Sequence, residues 1–192
     1  MDGLIVVLAV IVLALVTLLK GVRLVPQGSK WVVQRLGKYY ITLGPGLNII
    51  VPYIDNVAYK VTSKDIVLDI PSQEVITLDN VVIIANAVAY INIISPEKAV
   101  YGVEDYELAI RTLVQTSLRS IVGEMALDSA LSSRDKIKAQ LKQTISDDIS
   151  DWGITLKTVE IQDINPSPTM QSAMEEQAAA ERARRATVTR AD

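Results

Sequence analysis

The chain of 192 residues contains no cysteine, no histidine and no phenylalanine. The missing cysteines exclude disulfides, thiolate metal sites and lipid attachment to sulfur. The missing histidines remove the commonest general base and metal ligand. The sequence also lacks a phosphate-binding glycine loop, a nucleophile-elbow serine and a zinc-protease helix motif. We therefore predict a protein that is not an enzyme and that has no catalytic residue, cofactor or metal.

Acidic residues are absent from a long stretch near the N-terminus, between Asp2 and Asp55. The same stretch carries five cations, Lys20, Arg23, Lys30, Arg35 and Lys38. An anionic membrane leaflet attracts basic residues near its surface by about 1 kcal/mol each. We therefore expect Lys20, Arg23 and Lys30 to contact a membrane surface. The net charge of −3 argues against a nucleic-acid partner, since proteins that bind nucleic acids are usually basic.

One long apolar run precedes these cations. Leu4 to Leu19 contains a single polar residue, Thr17. At about 1.5 Å per residue, a helix of this length is roughly 24 Å long, slightly short of a ~30 Å hydrocarbon core. Flanking residues and the snorkelling of Lys20 extend it, so we predict a transmembrane helix over residues 1–24. The residues predicted to contact the lipid chains are Leu4, Ile5, Val12, Leu15 and Leu19.

A cleaved signal peptide is the alternative for this segment. Such a peptide requires a basic N-terminal region and small residues at its cleavage site. Here Asp2 is acidic, and no small-residue site follows Lys20. The excess of Lys and Arg after the apolar run predicts, by the positive-inside rule, that the rest of the chain faces the cytoplasm. The prediction is a single-pass membrane protein whose remaining chain lies in the cytoplasm.

The segment Leu43–Ile54 is apolar but is interrupted by two glycines and two prolines. It cannot form one regular element, because each proline removes a backbone donor and restricts the residue before it. Two interpretations remain open: a loop packed into the domain's own core, or a loop that dips into a membrane. The second predicts membrane contacts by Pro45, Leu47, Ile49, Ile50, Pro52 and Tyr53.

Strand patterns dominate the first half of the remaining chain. The segments predicted as strands are Trp31–Leu36, Asp65–Ile70, Glu74–Leu78 and Val81–Ile94. Pro71 separates the second from the third, and a turn at Asp79-Asn80 precedes the last. Both alternating faces of Val81–Ile94 are largely apolar, which predicts a strand that is covered on both sides.

Helical patterns dominate the second half. Ser95 and Pro96 give a helix start signal, and that helix is predicted to end near Gly102. Apolar residues at helical spacing predict further helices over Asp105–Met125 and Ser133–Trp152. A last strand pattern covers Ile154–Ile164. The sequence therefore predicts an α+β domain.

The C-terminal segment from Thr169 onward predicts a helix rich in alanine and charge. A lone helix with small residues along one side has little to bury by itself, so we expect it to pack against copies of itself as a coiled coil. The predicted contacts between copies are Ala173, Ala180, Ala183, Ala186, Glu181 and Arg185. Glu181 and Arg185 have the favourable i,i+4 orientation. A solvated stalk is the alternative.

Several strings resemble the stomatin–prohibitin–flotillin–HflK/C family, also called SPFH or band 7. They are V-P-Q-G from Val25, R-L-G-K-Y from Arg35, L-G-P-G-L from Leu43, D-I-P-S-Q-E-V-I-T from Asp69, L-R-S-I-V-G from Leu118 and W-G-I-x-L-x-x-V-E-I-x-D-I from Trp152. Their number and order carry the resemblance, which covers nearly all of the chain after Val22. The chain looks most like bacterial stomatin-like proteins of the QmcA and paraslipin kind, which implies a bacterial or archaeal-type inner or plasma membrane as its location.

The resemblance implies a fold and a function. It implies an SPFH1 subdomain over residues 25–95 that lies near a membrane, an SPFH2 subdomain over residues 96–166, and the start of a coiled-coil helix over residues 167–192. Leu43–Ile54 matches the membrane-contacting loop of the family. Such proteins assemble into large rings or cages that organise membrane microdomains. As an alternative, some regulate AAA-type membrane proteases, and some are paired with NfeD-type proteins.

Overall fold

A computed structural model describes the backbone of residues 2–189 and the side chains of most of them. The side chains of residues 2–6, 9, 10, 18 and 184–189 lie outside this description. The chain divides into two compact units, each built from several stretches. Unit 1 comprises residues 1–66, 91–106 and 149–155, and unit 2 comprises residues 67–90, 107–148 and 156–192.

The strands and helices are largely segregated along the chain, as the α+β prediction requires. The first half contains α1 (Asp2–Gly21), β1 (Val22–Val25), β2 (Ser29–Arg35), β3 (Lys38–Leu43), β4 (Gly46–Ile49), β5 (Asp55–Thr62), β6 (Ile66–Ile76) and β7 (Val82–Ile93). The second half contains α2 (Pro96–Gly102), α3 (Tyr106–Gly123), α4 (Leu127–Ser132), α5 (Arg134–Ser150), β8 (Ile154–Pro166) and α6 (Pro168–Thr189). The predicted helices at α2, α3 and α5 and the predicted strands at β2, β7 and β8 are confirmed.

The predicted transmembrane anchor is wrong. Over the part of the chain that is described, no helix combines the length and the apolar character that crossing a membrane requires. A bilayer core calls for about 20 predominantly apolar residues in one helix, whereas the apolar run Leu4–Leu19 has 16. Of the five residues assigned to lipid contact, Val12, Leu15 and Leu19 are exposed side chains of α1. The side chains of Leu4 and Ile5 lie outside the described residues.

Unit 1 is built on an antiparallel sheet with the strand order β3-β2-β5. Its apolar core contains the buried residues Val25, Val33, Leu43 and Ile50, with Trp31 and Val57 packed against them. Val33 alternates with Val32, and both are fully buried, so β2 is covered on its two faces. Helix α2 is bonded to this sheet: the side-chain amide of Gln34 on β2 donates to the hydroxyl of Tyr101 on α2 over 2.8 Å.

Unit 2 is built on the sheet β6-β7-β8. In β7 the residues Ile83, Ala85, Ala87 and Ala89 are fully buried, whereas Ile84 on the alternate face is half-buried. The second face of β7 is therefore covered less completely than the sequence predicts. Helix α3 buries Ile110, Val114, Leu118 and Val122, and Gln73 of β6 donates to the carbonyl of Gln115 over 2.8 Å, which ties α3 to the sheet.

Candidate functional site

The strands β1 and β4 form a two-stranded antiparallel ribbon in unit 1. Val22 lies opposite Ile49 and Leu24 lies opposite Leu47. Directly opposed residues of an antiparallel pair share one face, and so do residues two apart on one strand. These four side chains therefore form one apolar face of the ribbon, which we call the ribbon face. Leu24, Leu47 and Ile49 are 70%, 67% and 71% exposed, so in the described part of the chain nothing packs over them.

Ile50 follows the ribbon face but does not belong to it. Its side chain is 5% exposed and lies in the core of unit 1, and its backbone N–H donates to the carbonyl of Gly21 over 2.9 Å. Among the other residues predicted to contact a membrane, Pro45 is exposed and Pro52 is half-buried. The segment Leu43–Ile54 therefore places Leu43 and Ile50 in the core and leaves Leu47, Ile49 and Tyr53 exposed. Contact of the exposed residues with a membrane stays a prediction.

The turn that follows β4 presents Tyr53 to solvent. This residue is 80% exposed, and its backbone has a φ of +72°, a left-handed conformation that a bulky side chain rarely adopts. The ammonium of Lys20 lies 5.7 Å from the centroid of the Tyr53 ring, within the range of a cation–π interaction. A tyrosine with a cation beside it has an apolar body and a polar tip, the combination that suits a membrane–water boundary.

Leu36 is a further exposed apolar residue beside this turn, and the sequence analysis did not assign it to the site. It is 82% exposed and has a φ of +50° at the tip of the β2–β3 hairpin. Its backbone N–H donates to the carbonyl of Ile54 over 3.3 Å, so the hairpin tip and the Tyr53 turn are neighbours. The sequence signal for this turn is Gly37, which favours a positive φ but says nothing about the residue before it.

Asp55 and Arg35 form a paired group behind the Tyr53 turn. Arg35 Nε donates to Asp55 Oδ1 over 2.6 Å, and Arg35 Nη2 donates to Asp55 Oδ2 over 2.9 Å. The guanidinium also lies 3.6 Å from the centroid of the Tyr40 ring. The hydrogen bonds from Arg35, and a further one from the backbone N–H of Val51, hold the pKa of Asp55 below its ordinary value. The carboxylate in turn raises the pKa of Arg35.

The predicted basic contacts differ in their surroundings. Lys20 and Arg23 are exposed. Lys30 is half-buried, and its ammonium donates to the carbonyl of Ile94 over 3.2 Å, so it is engaged within unit 1. Lys20 and Arg23 therefore remain as the exposed cations next to the ribbon face.

The residues predicted to join copies of the chain lie on α6. Ala173, Ala180, Glu181 and Ala183 are exposed on this helix. Arg185 and Ala186 belong to the helix by their backbone, but their side chains lie outside the described residues. Over the described residues, no group of three or more acidic side chains is arranged to bind a metal ion.

Comparison with known proteins identifies relatives in animals, archaea and bacteria. Human stomatin-like protein 2, a mitochondrial protein, is 41% identical over 167 residues, which cover 87% of this chain and 47% of the human protein. An uncharacterized protein of Archaeoglobus fulgidus is 40% identical over 185 residues, which cover 96% of this chain and 74% of that protein. An uncharacterized protein of Mycobacterium tuberculosis is 36% identical over 190 residues.

The human and mycobacterial relatives are longer proteins, and the chain spans about half of their length, 47% and 50%. The stomatin-like name is not that of an enzyme. The sequence model of the "SPFH domain / Band 7 family" matches residues 23–192. The match begins after α1 and Val22 and covers the rest of both units. The resemblance seen in the sequence motifs is thereby confirmed, and the chain belongs to the SPFH domain / Band 7 family.

Proposed function

We propose that this protein is a scaffold that binds a membrane surface through the ribbon face and assembles with copies of itself. The observation that carries the proposal is the ribbon face, on which Leu24, Leu47 and Ile49 point away from the core of unit 1. Contiguous exposed apolar side chains rimmed by polar ones are typical of surfaces that bind a membrane or another protein.

The energetic argument for lipid contact rests on burial. Moving a fully exposed Leu or Ile side chain into an apolar phase is worth roughly 1.5–3 kcal/mol. The pairs Val22–Ile49 and Leu24–Leu47 enter together, because both lie on one face of the ribbon. The sum is of the size that reversible binding of a domain to a bilayer surface requires.

Charge supports the same orientation. Lys20 precedes the ribbon, and Arg23 lies on β1 between Val22 and Leu24. No acid lies between Asp2 and Asp55, and Asp55 is paired with Arg35. The segment that contains the two ribbon strands therefore carries positive and no negative side chains. Phospholipid headgroups of anionic membranes attract such residues by about 1 kcal/mol each.

The assembly part of the proposal rests on α6. This helix exposes nearly all of its described side chains, with Met170 and Ala178 half-buried. Isolated helices are only marginally stable in water and usually gain their stability from packing one face. A second copy of α6 would cover the alanine-rich side and leave the charged side in water. The stomatin-like name of a relative agrees with this kind of protein, and rings or cages that organise a membrane region are the form of assembly we propose.

Flotation with liposomes tests the membrane contact. The chain shortened to residues 20–192 removes the apolar side chains of α1 from the measurement. We expect the shortened chain to float with anionic vesicles, and L24D together with L47D to lower its partition coefficient by at least about tenfold, because two apolar burials are lost and two charges enter the lipid. Both positions are exposed, so the unfolding temperature should remain close to that of the unchanged chain.

The matched control is L78D in unit 2. Leu78 is 72% exposed, as apolar as Leu24, and lies outside the ribbon face. This variant should float as the unchanged chain does. Equal flotation of the double variant and the control, or no flotation of the shortened chain at all, would contradict the proposed contact.

A further inference from the structure

We infer that Asp55 and Arg35 are positioning residues that hold the turn 51–54 in the conformation in which Tyr53 contacts lipid. The inference rests on the membrane contact proposed above and adds the device that sets its geometry. The side chains involved, Asp55 and Arg35, lie behind the turn and are not part of the ribbon face.

Asp55 closes the turn with both its backbone and its side chain. The backbone N–H of Asp55 donates to the carbonyl of Val51 over 2.9 Å. The Asp55 carboxylate accepts in return from the backbone N–H of Val51, whose nitrogen lies 2.8 Å from Oδ2. Val51 and Asp55 are thus joined by two reciprocal hydrogen bonds across the turn. These bonds fix the backbone at both ends of residues 52–54.

The turn requires such a support because of Tyr53. A positive φ at a tyrosine is unfavourable and persists only where the surroundings determine the backbone. The side chain of Tyr53 is 80% exposed, so packing of the ring does not supply that determination. The two hydrogen bonds between Val51 and Asp55 determine the backbone conformation instead.

Arg35 fixes the orientation of the carboxylate. Its two donors take both oxygens of Asp55 in a bidentate arrangement, which sets direction as well as distance. The Asp55 side chain is 1% exposed, so water does not compete for it. Arg35 itself is oriented by the ring of Tyr40.

The same pair connects a second exposed apolar residue to the turn. Leu36 follows Arg35 directly and bonds through its N–H to the carbonyl of Ile54. The hairpin tip that carries Leu36 and the turn that carries Tyr53 are therefore held side by side. Both residues have a positive φ, and their side chains are exposed, Leu36 at 82% and Tyr53 at 80%. Two exposed apolar side chains held next to each other are typical of a surface that contacts an apolar partner, here the lipid.

The absence of cysteine from the sequence makes a site-specific test possible in the full chain. Y53C and, separately, L47C are labelled with an environment-sensitive fluorophore. Quenching by vesicles that carry nitroxides on the lipid acyl chains then reports whether each position enters the bilayer. Each probe is measured in the unchanged background and with D55N.

Asparagine at position 55 is a minimal change with a clear chemical consequence. Asparagine has one acceptor oxygen where aspartate has two, so its NH2 group faces either the Nε of Arg35 or the donors from Val51 and Arg35 Nη2. In either orientation the charge and at least one of the three hydrogen bonds to the carboxylate are lost. We expect the equilibrium for the closed turn to shift by about tenfold, a usual size for one hydrogen bond to a charged group. Quenching at position 53 should therefore fall, while quenching at position 47 should persist, since β4 is held by β1.

A matched control removes a different paired carboxylate. Glu160 accepts from the ammonium of Lys138 in unit 2, and E160Q should leave quenching at both positions unchanged. R35K is the second variant, because it keeps the charge but loses the bidentate fork; it should lower quenching at position 53 selectively, and it serves as the test if D55N does not fold.

The outcomes separate the inference from the proposed function. Selective loss at position 53 supports the positioning role. Unchanged quenching at both positions in D55N, or equal loss at both in a variant that melts like the unchanged chain, overturns it. No quenching at either position in the unchanged background would instead overturn the proposed membrane contact.

Discussion

Backbone conformation at single residues explains several features that side-chain patterns leave out. Asn80 adopts a φ of +62° in the β6–β7 turn, as the Asp79-Asn80 signal predicts, because asparagine tolerates the left-handed region. Leu36 and Tyr53 adopt the same region without such a signal. Their conformation depends on bonds to residues far along the chain or on the opposite end of a turn. The exposed half of the candidate site was therefore only partly predictable from sequence.

Gly153 offers a test of a glycine that meets both a conformational and a steric requirement. Its φ is +67°, and a Cβ at this position would lie 2.6 Å from Ser95 Cβ and 2.8 Å from Ser95 O. We expect G153A to lower the free energy of unfolding by about 2–4 kcal/mol, from the left-handed backbone and the displacement of Ser95. Chemical denaturation measures it.

The control for this prediction is G37A. Gly37 has a φ of +83°, but a Cβ there would meet nothing within 4 Å. This variant should lose only the conformational part, about 1–2 kcal/mol. An equal loss in both variants would show that the contact with Ser95 has no cost.

Asp79 gives a prediction about acid. Its carboxylate accepts from the Thr77 hydroxyl and from the backbone N–H of Leu127, and these bonds hold its pKa below the ordinary value of 3.8. A carboxyl whose pKa is lowered on folding stabilises the protein above the unfolded-state pKa, and this contribution disappears as the pH falls through the folded-state value. The unfolding temperature of D79N should therefore lie below that of the unchanged chain at neutral pH.

The gap between the two unfolding temperatures should narrow as the pH falls below 3.8. Asp55 and Glu160 also have lowered pKa values, but they are common to both chains and cancel in the difference. A gap that stays constant from neutral to strongly acidic pH would show that the Asp79 carboxylate contributes no charge-dependent stability.

At the scale of elements, periodicity predicts long regular segments and misses short ones. The helices α3 and α5 repeat apolar residues at helical spacing over several turns, which is a strong signal. The ribbon strands β1 and β4 have four residues each, too few for a period of two to be recognised. Pro71 predicts a break between two strands, and this prediction is wrong, because β6 runs through Pro71 from Ile66 to Ile76. An edge strand permits a proline, since its outer N–H groups have no ladder partner.

Strand β7 allows its two faces to be compared at adjacent positions. Ile83 is fully buried and Ile84 is half-buried. I83A should lower the free energy of unfolding by about 2–5 kcal/mol through lost burial and the cavity left behind. I84A should cost roughly 1 kcal/mol. Both variants change the same residue type in the same strand, so differences in intrinsic β-propensity largely cancel.

Denaturant unfolding of the two variants measures this difference. Similar losses at both positions would mean that the second face of β7 is as well covered in solution as the first. That result would restore the prediction, made from the two apolar faces of Val81–Ile94, that the strand is covered on both sides.

At the scale of the molecule, the units are assembled from stretches that are distant in sequence. Unit 1 takes residues 91–106 and 149–155 in addition to the N-terminal part. Motif order along the chain suggests consecutive subdomains, because it carries no information about which later stretch returns to an earlier one. Ile94 and Ser95 show how such a return is fixed, since both backbone N–H groups donate to the carbonyl of Gly153 over 3.0 Å.

Self-assembly is the property of the whole molecule that the proposed scaffold requires. Ala173 and Ala180 lie seven residues apart and hence on one side of α6, and both are exposed. We expect A173E together with A180E to weaken association by at least about tenfold, since close packing of helices leaves no room for a glutamate and would bury its charge. Light scattering after gel filtration should show a lower mass. Q171E adds the same kind of charge on the opposite side of α6 and should keep the mass of the unchanged chain. A mass that falls equally in both variants would point to charge alone, and a mass that falls in neither would place the contacts between copies outside this side of α6.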